Sequence, residues 1–217
     1  MKNLLPLVFL VVSITSFSQN LEFEARGIIA VSDADQAASA LVDGKLYKEK
    51  GVKDAFASVK LPLGISYDEV KTVVVSNSVF NRAKSLIISP VYQLAYVLES
   101  RTMVADNVNE LRNLQEDLPS GGFITVIDIA DIARPKVLYK FPTGKNPTSI
   151  DISPKGDYLV LCAEEEGKEL QVLELDSGGK PVRIIHKPQG LPTGKITDVS
   201  WHPNDNYIAI MSPIPYI

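Results

Sequence analysis

Residues 148–163 read Thr-Ser-Ile-Asp-Ile-Ser-Pro-Lys-Gly-Asp-Tyr-Leu-Val-Leu-Cys-Ala, and the run continues through Gln171-Val-Leu-Glu-Leu-Asp176 to Pro181-Val-Arg-Ile-Ile185. The spacing predicts four short strands, Ser149–Ile152, Tyr158–Ala163, Leu170–Leu175 and Pro181–Ile185. Turn residues separate them: Ser153-Pro-Lys-Gly-Asp157, Glu164-Glu-Glu-Gly167 and Asp176-Ser-Gly-Gly179. Apolar alternation broken by Gly, Pro and Asp every eight to twelve residues is the signal of an all-β repeat. A lone four-stranded sheet leaves both apolar faces wet, so this unit needs neighbours on either side.

Those neighbours are legible on both flanks. Before it, Ser85–Ser89, Leu94–Leu98, Phe123–Ile129 and Val137–Phe141 form a second unit, with a long polar insert over 99–122. Within that insert Val108, Leu111 and Leu114 fall three apart, which suggests a turn or two of helix; the segment is expected to be exposed and poorly ordered. After it, Asp198–Trp201 mirrors Ile150–Ser153, and Tyr207–Ile210 mirrors Tyr158–Leu161. At the start, Gly27–Ser32, Phe56–Leu61 and Val70–Asn77 supply three strands, the last rich in β-branched valine, which suits a pleated buried surface. The turn prolines Pro90, Pro154 and Pro203 are 64 and 49 residues apart. Without the 99–122 insert the longer interval falls to about 40–50 residues, the length of a propeller blade. The expected architecture is therefore all-β: propeller blades of four antiparallel strands in an incomplete ring. Its blades fall at about 25–81, 83–147 and 148–195, with a half blade at 196–217. So few blades cannot close a ring, which leads to the expectation that this is part of a longer protein, or a chain that self-associates.

The N-terminus differs in kind. Lys2, the apolar run Leu4–Val12, and small side chains at Ser16 and Ser18 ahead of Gln19 have the layout of a secretory signal peptide over residues 1–18. The run is too short for a membrane span, which takes about 20 apolar residues. The expected location of residues 19–217 is periplasmic or extracellular, with no stable membrane insertion after cleavage. A net charge of −4 with scattered Lys and Arg argues against nucleic acid, whose phosphates call for clustered cations. Cys162 is the single cysteine, so no intramolecular disulfide can form, and it reads as a small buried side chain rather than a reactive thiol.

Ser149-Ile-Asp-Ile-Ser-Pro-Lys-Gly-Asp-Tyr-Leu159 resembles the repeat of the YVTN or lactonase-like β-propeller proteins, a WD-repeat-like bacterial group. Phe123-Ile-Thr-Val-Ile-Asp-Ile129 is similar to that group's third-strand pattern, and Ser76-Asn-Ser-Val79 followed by Ser85–Pro90 fits the same alignment. Ala95-Tyr96-Val97-Leu98 is the counterpart of the Tyr-Val-Thr-Asn motif and departs from it after the valine. The resemblance extends over about residues 25–217. It implies a ring of about seven blades and, as one activity, lactone hydrolysis of the 6-phosphogluconolactonase type, with a site at the central channel drawing carboxylates, Arg or His from several blades.

No compact catalytic signature accompanies it: the chain has no Gly-x-Ser-x-Gly, no His-Glu-x-x-His and no phosphate-cradling loop. The catalytic residues are therefore unknown from sequence, and no cofactor or metal site is expected. His202 takes the turn place of Ser153 and His186 follows a fourth strand. Asp33, Asp35, Asp43 and Glu164–Glu166 read as solvated turn formers, with Asp33-x-Asp35 a minimal calcium candidate. Asp151 and Asp198 occupy matching places and suggest hydrogen bonds to a neighbouring blade; Trp201 suggests interblade packing. The favoured function is an exported scaffold binding an unknown protein, glycan or small molecule through its loops. A lactone hydrolase, whose site would need further blades, is the alternative. A redox accessory subunit is a third reading, without a Cys-x-x-Cys-His to support it.

Overall fold

The computed structural model describes residues 25–34, 40–43, 45–46, 48–64, 69–78, 84–108, 110–186 and 195–213. Residues 1–18, where the signal-peptide pattern lies, fall outside them, as does Asp35. Among the described residues thirteen strands make four sheets in which sequence neighbours pair antiparallel.

The first sheet holds β1 (Gly27–Ser32), β2 (Ala55–Lys60) and β3 (Val70–Val74). The second holds β4 (Leu86–Ile88), β5 (Leu94–Arg101), β6 (Ser120–Asp128) and β7 (Lys136–Pro142). The third holds β8 (Pro147–Ile152), β9 (Tyr158–Ala163), β10 (Leu170–Leu175) and β11 (Pro181–His186). The fourth is the pair β12 (Asp198–Trp201) and β13 (Ile208–Met211). The second and third sheets are thus blades of four antiparallel strands. Two single-turn helices, α1 (Ala40–Asp43) and α2 (Leu114–Asp117), sit in the connectors.

Alternation along each strand explains why the sheets stack. Tyr96 and Leu98 of β5 face the third sheet, while Ala95 and Val97, one step out of phase, face the first. The seam between the second and third sheets joins Leu94, Tyr96, Leu98, Ile124 and Val126 to Ile150, Ile152, Leu159, Leu161, Leu173 and Leu175. Phe56 and Val75 meet Ala95, Val97 and Ile127 in the seam before it. Val160, Cys162 and Leu170 meet Ile196 and Val199 in the seam after it. Because β9 is covered on both sides, every residue from Leu159 to Ala163 is buried, not only alternate ones. Along β6 the alternation is broken: Phe123 is exposed whereas Ile124, Thr125, Val126 and Ile127 are all buried. The outer faces of the end sheets stay open, with Ile28, Val70 and Val74 exposed on the first and Met211 on the fourth. The ring is not closed.

The turn repeat holds at the level of the backbone. Ser89 N donates to Leu94 O, Ser153 N to Tyr158 O and His202 N to Tyr207 O, at 2.9, 2.8 and 2.8 Å. Gly156 and Asp205 both adopt left-handed backbone, φ 75° and 67°, and donate their N–H to Ser153 O and His202 O. His202 Nδ1 accepts from Asn204 N in the way Ser89 Oγ accepts from Val91 N, two residues on, whereas Ser153 Oγ takes Asp157 N.

The 99–122 insert is not the exposed tail expected of it. Strand β5 runs on to Arg101 and β6 starts at Ser120, so pairing consumes both ends. What remains buries Val104 and Leu118 against Ala40 and Leu46 of the 33–54 connector, with Val108 and Leu111 packed beside them. Lys48, only 8% exposed, donates to Val104 O and pairs with Asp106 at 3.3 Å. Two inserts from adjacent sheets thereby share one small core, since neither has enough apolar surface alone. The helix expected around 107–116 is confined to Leu114–Asp117. The third strand of the first sheet also stops early, at Val74 rather than Asn77. Residues 75–78 instead wrap Asp54, whose carboxylate accepts from Ala34 N and Asn77 N at 3.0 and 3.1 Å.

Candidate functional site

In antiparallel meanders alternate connectors fall at opposite ends of the stack. The connectors leaving β1, β3, β5, β7 and β9 do so at one end, called here the upper end. The tight hairpins near Ser89, Ile132, Ser153, Asp176 and His202 lie at the other.

At the upper end the second seam turns from apolar to polar. Ser100 is in step with Tyr96 and Leu98 and Gln171 with Leu173 and Leu175, while Thr148 sits at the bulge between Pro147 and Ser149. Gln171 shares a cross-strand row with Leu161 and Ile150. Ser100, Arg101, Asn146, Thr148 and Gln171 are 0, 8, 6, 4 and 2% exposed. Each carries a buried polar atom without a hydrogen-bond partner among the described residues: Ser100 Oγ, Arg101 Nε, Asn146 Oδ1, Thr148 Oγ1 and Gln171 Oε1. Such an atom costs about 1–3 kcal/mol when left unsatisfied, and these five lie toward the upper ends of β5, β8 and β10 and in the turn before β8.

Backbone geometry fixes the group. Asn146 adopts φ 49°, a conformation Asn tolerates better than most residues. Its N–H donates to Gly121 O at 3.0 Å and its carbonyl accepts from Glu164 N at 3.3 Å, so it staples the end of β6 to the end of β9. Gly144 is required next to it: a Cβ there would lie 2.8 Å from Ala163 Cβ and 3.4 Å from Gln171 Nε2.

Charge sits above these groups. Glu164 accepts from Lys195 Nζ at 2.6 Å and from Asn146 Nδ2 at 3.1 Å, with Arg101 Nη2 at 3.6 Å. Burial pushes the Glu164 carboxyl up, but the hydrogen bonds from Lys195 and Asn146 and the charges of Lys195 and Arg101 outweigh it. Its pKa is lowered overall and it is an anion at neutral pH. The neighbouring Glu165 pairs with Lys168 at 2.6 Å and accepts from Lys145 N at 2.8 Å.

The residues singled out by sequence are dispersed by the fold. His202 is an exposed turn residue at the lower end, its ring edge-on to Tyr207 at 6.0 Å. His186 closes β11. Asp151 accepts from Trp201 N at 2.8 Å and Ser200 Oγ at 3.2 Å, and Asp198 accepts from Ser149 Oγ, so both tie β8 to β12. Lys84, just before β4, adds a bond to Ser200 Oγ at 3.2 Å and an ion pair to Asp151 at 3.8 Å. Trp201 stacks on Tyr158 with centroids 6.1 Å apart. Cys162 is fully buried, and burial followed by the charge of Asp198 pushes its thiol pKa up to about 12. Asp43 holds its own turn by accepting from Lys45 N at 2.9 Å. Of all these, only Glu164 belongs to the polar group. Arg101, Asn146, Thr148 and Gln171 were missed because each reads as an ordinary strand end or turn; the one signal in the letters is Gln171, a polar residue in step with the apolar face of β10. Among the described residues no group of three or more His, Cys, Asp or Glu stands ready to hold a metal, and no helix is long and apolar enough to cross a membrane. A shallow lower-end cleft around Arg26, Lys60 and Asp131 is solvent-open and has no buried polar group aimed into it.

No protein-family profile matches the chain, and no curated protein sequence matches it. Among solved structures it is similar to a crystal structure of a protein from Bacteroides fragilis assigned provisionally as a 6-phosphogluconolactonase. The identity is 12% and the TM-score 0.42, over 78% of this chain and 42% of that one. The chain therefore spans less than half the length of that structure.

Proposed function

We propose that this chain is a binding module of the propeller type, with its ligand surface at the upper end of the second and third sheets and no catalysis of its own. The observation that carries the reading is the set of five buried, unpartnered polar atoms on Ser100, Arg101, Asn146, Thr148 and Gln171. Strands hold four of these groups and the hydrogen-bonded Asn146 turn holds the fifth, which is how a site keeps its geometry without a ligand. The kinship with YVTN or lactonase-like repeats, resting on Ser149–Leu159, belongs to the same proposal. So does export, for which the charged, apolar and small-residue pattern of residues 1–18 is the support.

Two measurements test it. Ligands found by thermal shift should lose their effect in Gln171→Leu, which keeps the volume and removes the polar atoms. Hydrolysis of δ-gluconolactone by the purified protein should run no faster than in buffer; a clear acceleration would replace the binding reading with a hydrolase. For export, the secreted protein should begin at Gln19.

A further inference from the structure

Resting on that reading of the upper end, we infer that the position beside Arg101 takes a small hydroxylated carboxylate of the uronic acid class, with the Glu164 carboxylate held beside that position in the free protein. The Arg101 guanidinium lies at the centre of the group. Its buried Nε has no hydrogen-bond partner among the described residues, and its Nη2 approaches Glu164 at 3.6 Å. A guanidinium offers a planar fork of N–H donors that matches a carboxylate with two parallel bonds. Glu164 does not use that fork, because its hydrogen bonds go to Lys195 and Asn146. It is held near the place of an anion without filling it.

Charge sets the valence of the ligand. Arg101 and Lys195 carry two positive charges against the one negative charge of Glu164, which leaves room for a single further anion. A monocarboxylate balances the group; a phosphate monoester, with close to two charges, does not. The remaining free atoms set the rest of its chemistry. Asn146 Oδ1 and Gln171 Oε1 accept, and the Ser100 and Thr148 hydroxyls donate or accept. Two amide acceptors need O–H donors from the ligand, which a simple fatty or short-chain acid lacks. The way in is on the solvent side: the Glu164 and Lys195 side chains are 24% and 53% exposed, against 10% for Arg101. Turning the Glu164–Lys195 pair outward uncovers the guanidinium.

The test is isothermal titration of the full chain with D-galacturonate, D-galactose, acetate and D-galactose 6-phosphate. Galacturonate should bind at least ten-fold more tightly than each of the other three. Arg101→Lys keeps the charge and loses the fork, and should weaken galacturonate binding at least ten-fold with little change in melting temperature. Glu164→Gln removes the internal competitor and should tighten binding several-fold. Galactose binding as tightly as galacturonate, and unmoved by Arg101→Lys, would overturn the carboxylate assignment while leaving the upper end a binding surface. Tightest binding of the phosphate ester would overturn the single-anion argument. Galacturonate binding that survives both Arg101→Lys and Gln171→Leu unchanged would overturn the inference and the placement of the site together. Failure of galacturonate to bind either the wild type or Glu164→Gln would overturn the inference alone.

Discussion

Tyr96 Oη donates to the carbonyl oxygen of Gly179 at 2.8 Å, joining the middle of the second sheet to a hairpin of the third. Tyr96 is fully buried, and burial, followed by the charges around it, pushes its hydroxyl pKa well up, so it is a neutral donor at any physiological pH. Gly179 has φ 77°, and a Cβ on it would stand 2.7 Å from Leu94 Cδ1 and 2.8 Å from Tyr96 Oη. Tyr96→Phe should destabilise the fold by about 1–3 kcal/mol, because the buried carbonyl loses its donor. Gly179→Ala should cost about 1–3 kcal/mol through overpacking and backbone strain. Urea unfolding of each variant checks both values.

Asp151 links β8 to β12 by accepting from Trp201 N and Ser200 Oγ. Asp151→Ala should cost about 1–3 kcal/mol, since it strands a backbone N–H. The effect should be local: amide exchange should quicken across Asp198–Met211 before it changes in β5 or β6. Uniform acceleration through all sheets would show that the fourth sheet is not a separate opening unit.

Glu164 predicts a pH dependence with a definite sign. Its folded pKa lies below the ordinary carboxylate value of 4.5, so its contribution to stability is fully present above that value. The contribution disappears as pH falls through the folded value, when the carboxyl protonates and the pairs with Lys195 and Asn146 weaken. Chemical denaturation at several pH values should therefore show a steeper acid loss in the wild type than in Glu164→Gln. Parallel curves would remove Glu164 from the account.

Cys162 supplies a probe of the seam between the third and fourth sheets. With a thiol pushed up to about 12 by burial, it should not react with a thiol reagent at neutral pH in the folded protein. Labelling should follow opening of the fourth sheet and should accelerate in Asp151→Ala.

Much of the fold was legible because period-two alternation and turn residues agree along the chain. Tyr158–Ala163, Leu170–Leu175, Asp198–Trp201 and Gly27–Ser32 begin and end where their letters say. Legibility failed where tertiary partners decide the outcome. Val75–Ser78 continues a valine-rich strand in sequence, yet Asp54 captures its backbone. The 99–122 insert looks polar, yet it finds in Ala40 and Leu46 an apolar partner about sixty residues away in sequence. The candidate site was the least visible part. Arg101 and Gln171 carry no motif, and their meaning depends on which sheet face each side chain meets.

The hairpins at Ser89 and His202 share their closing backbone hydrogen bond while differing in the side chain that receives the amide two residues on. Selection on such a repeat acts on the capacity to accept a proton donor at one place, met equally by a hydroxyl and an imidazole nitrogen. Copies can therefore drift apart in letters and remain interchangeable in shape. Relatives of this chain are better sought by aligning donors and acceptors around each hairpin than by matching amino acids.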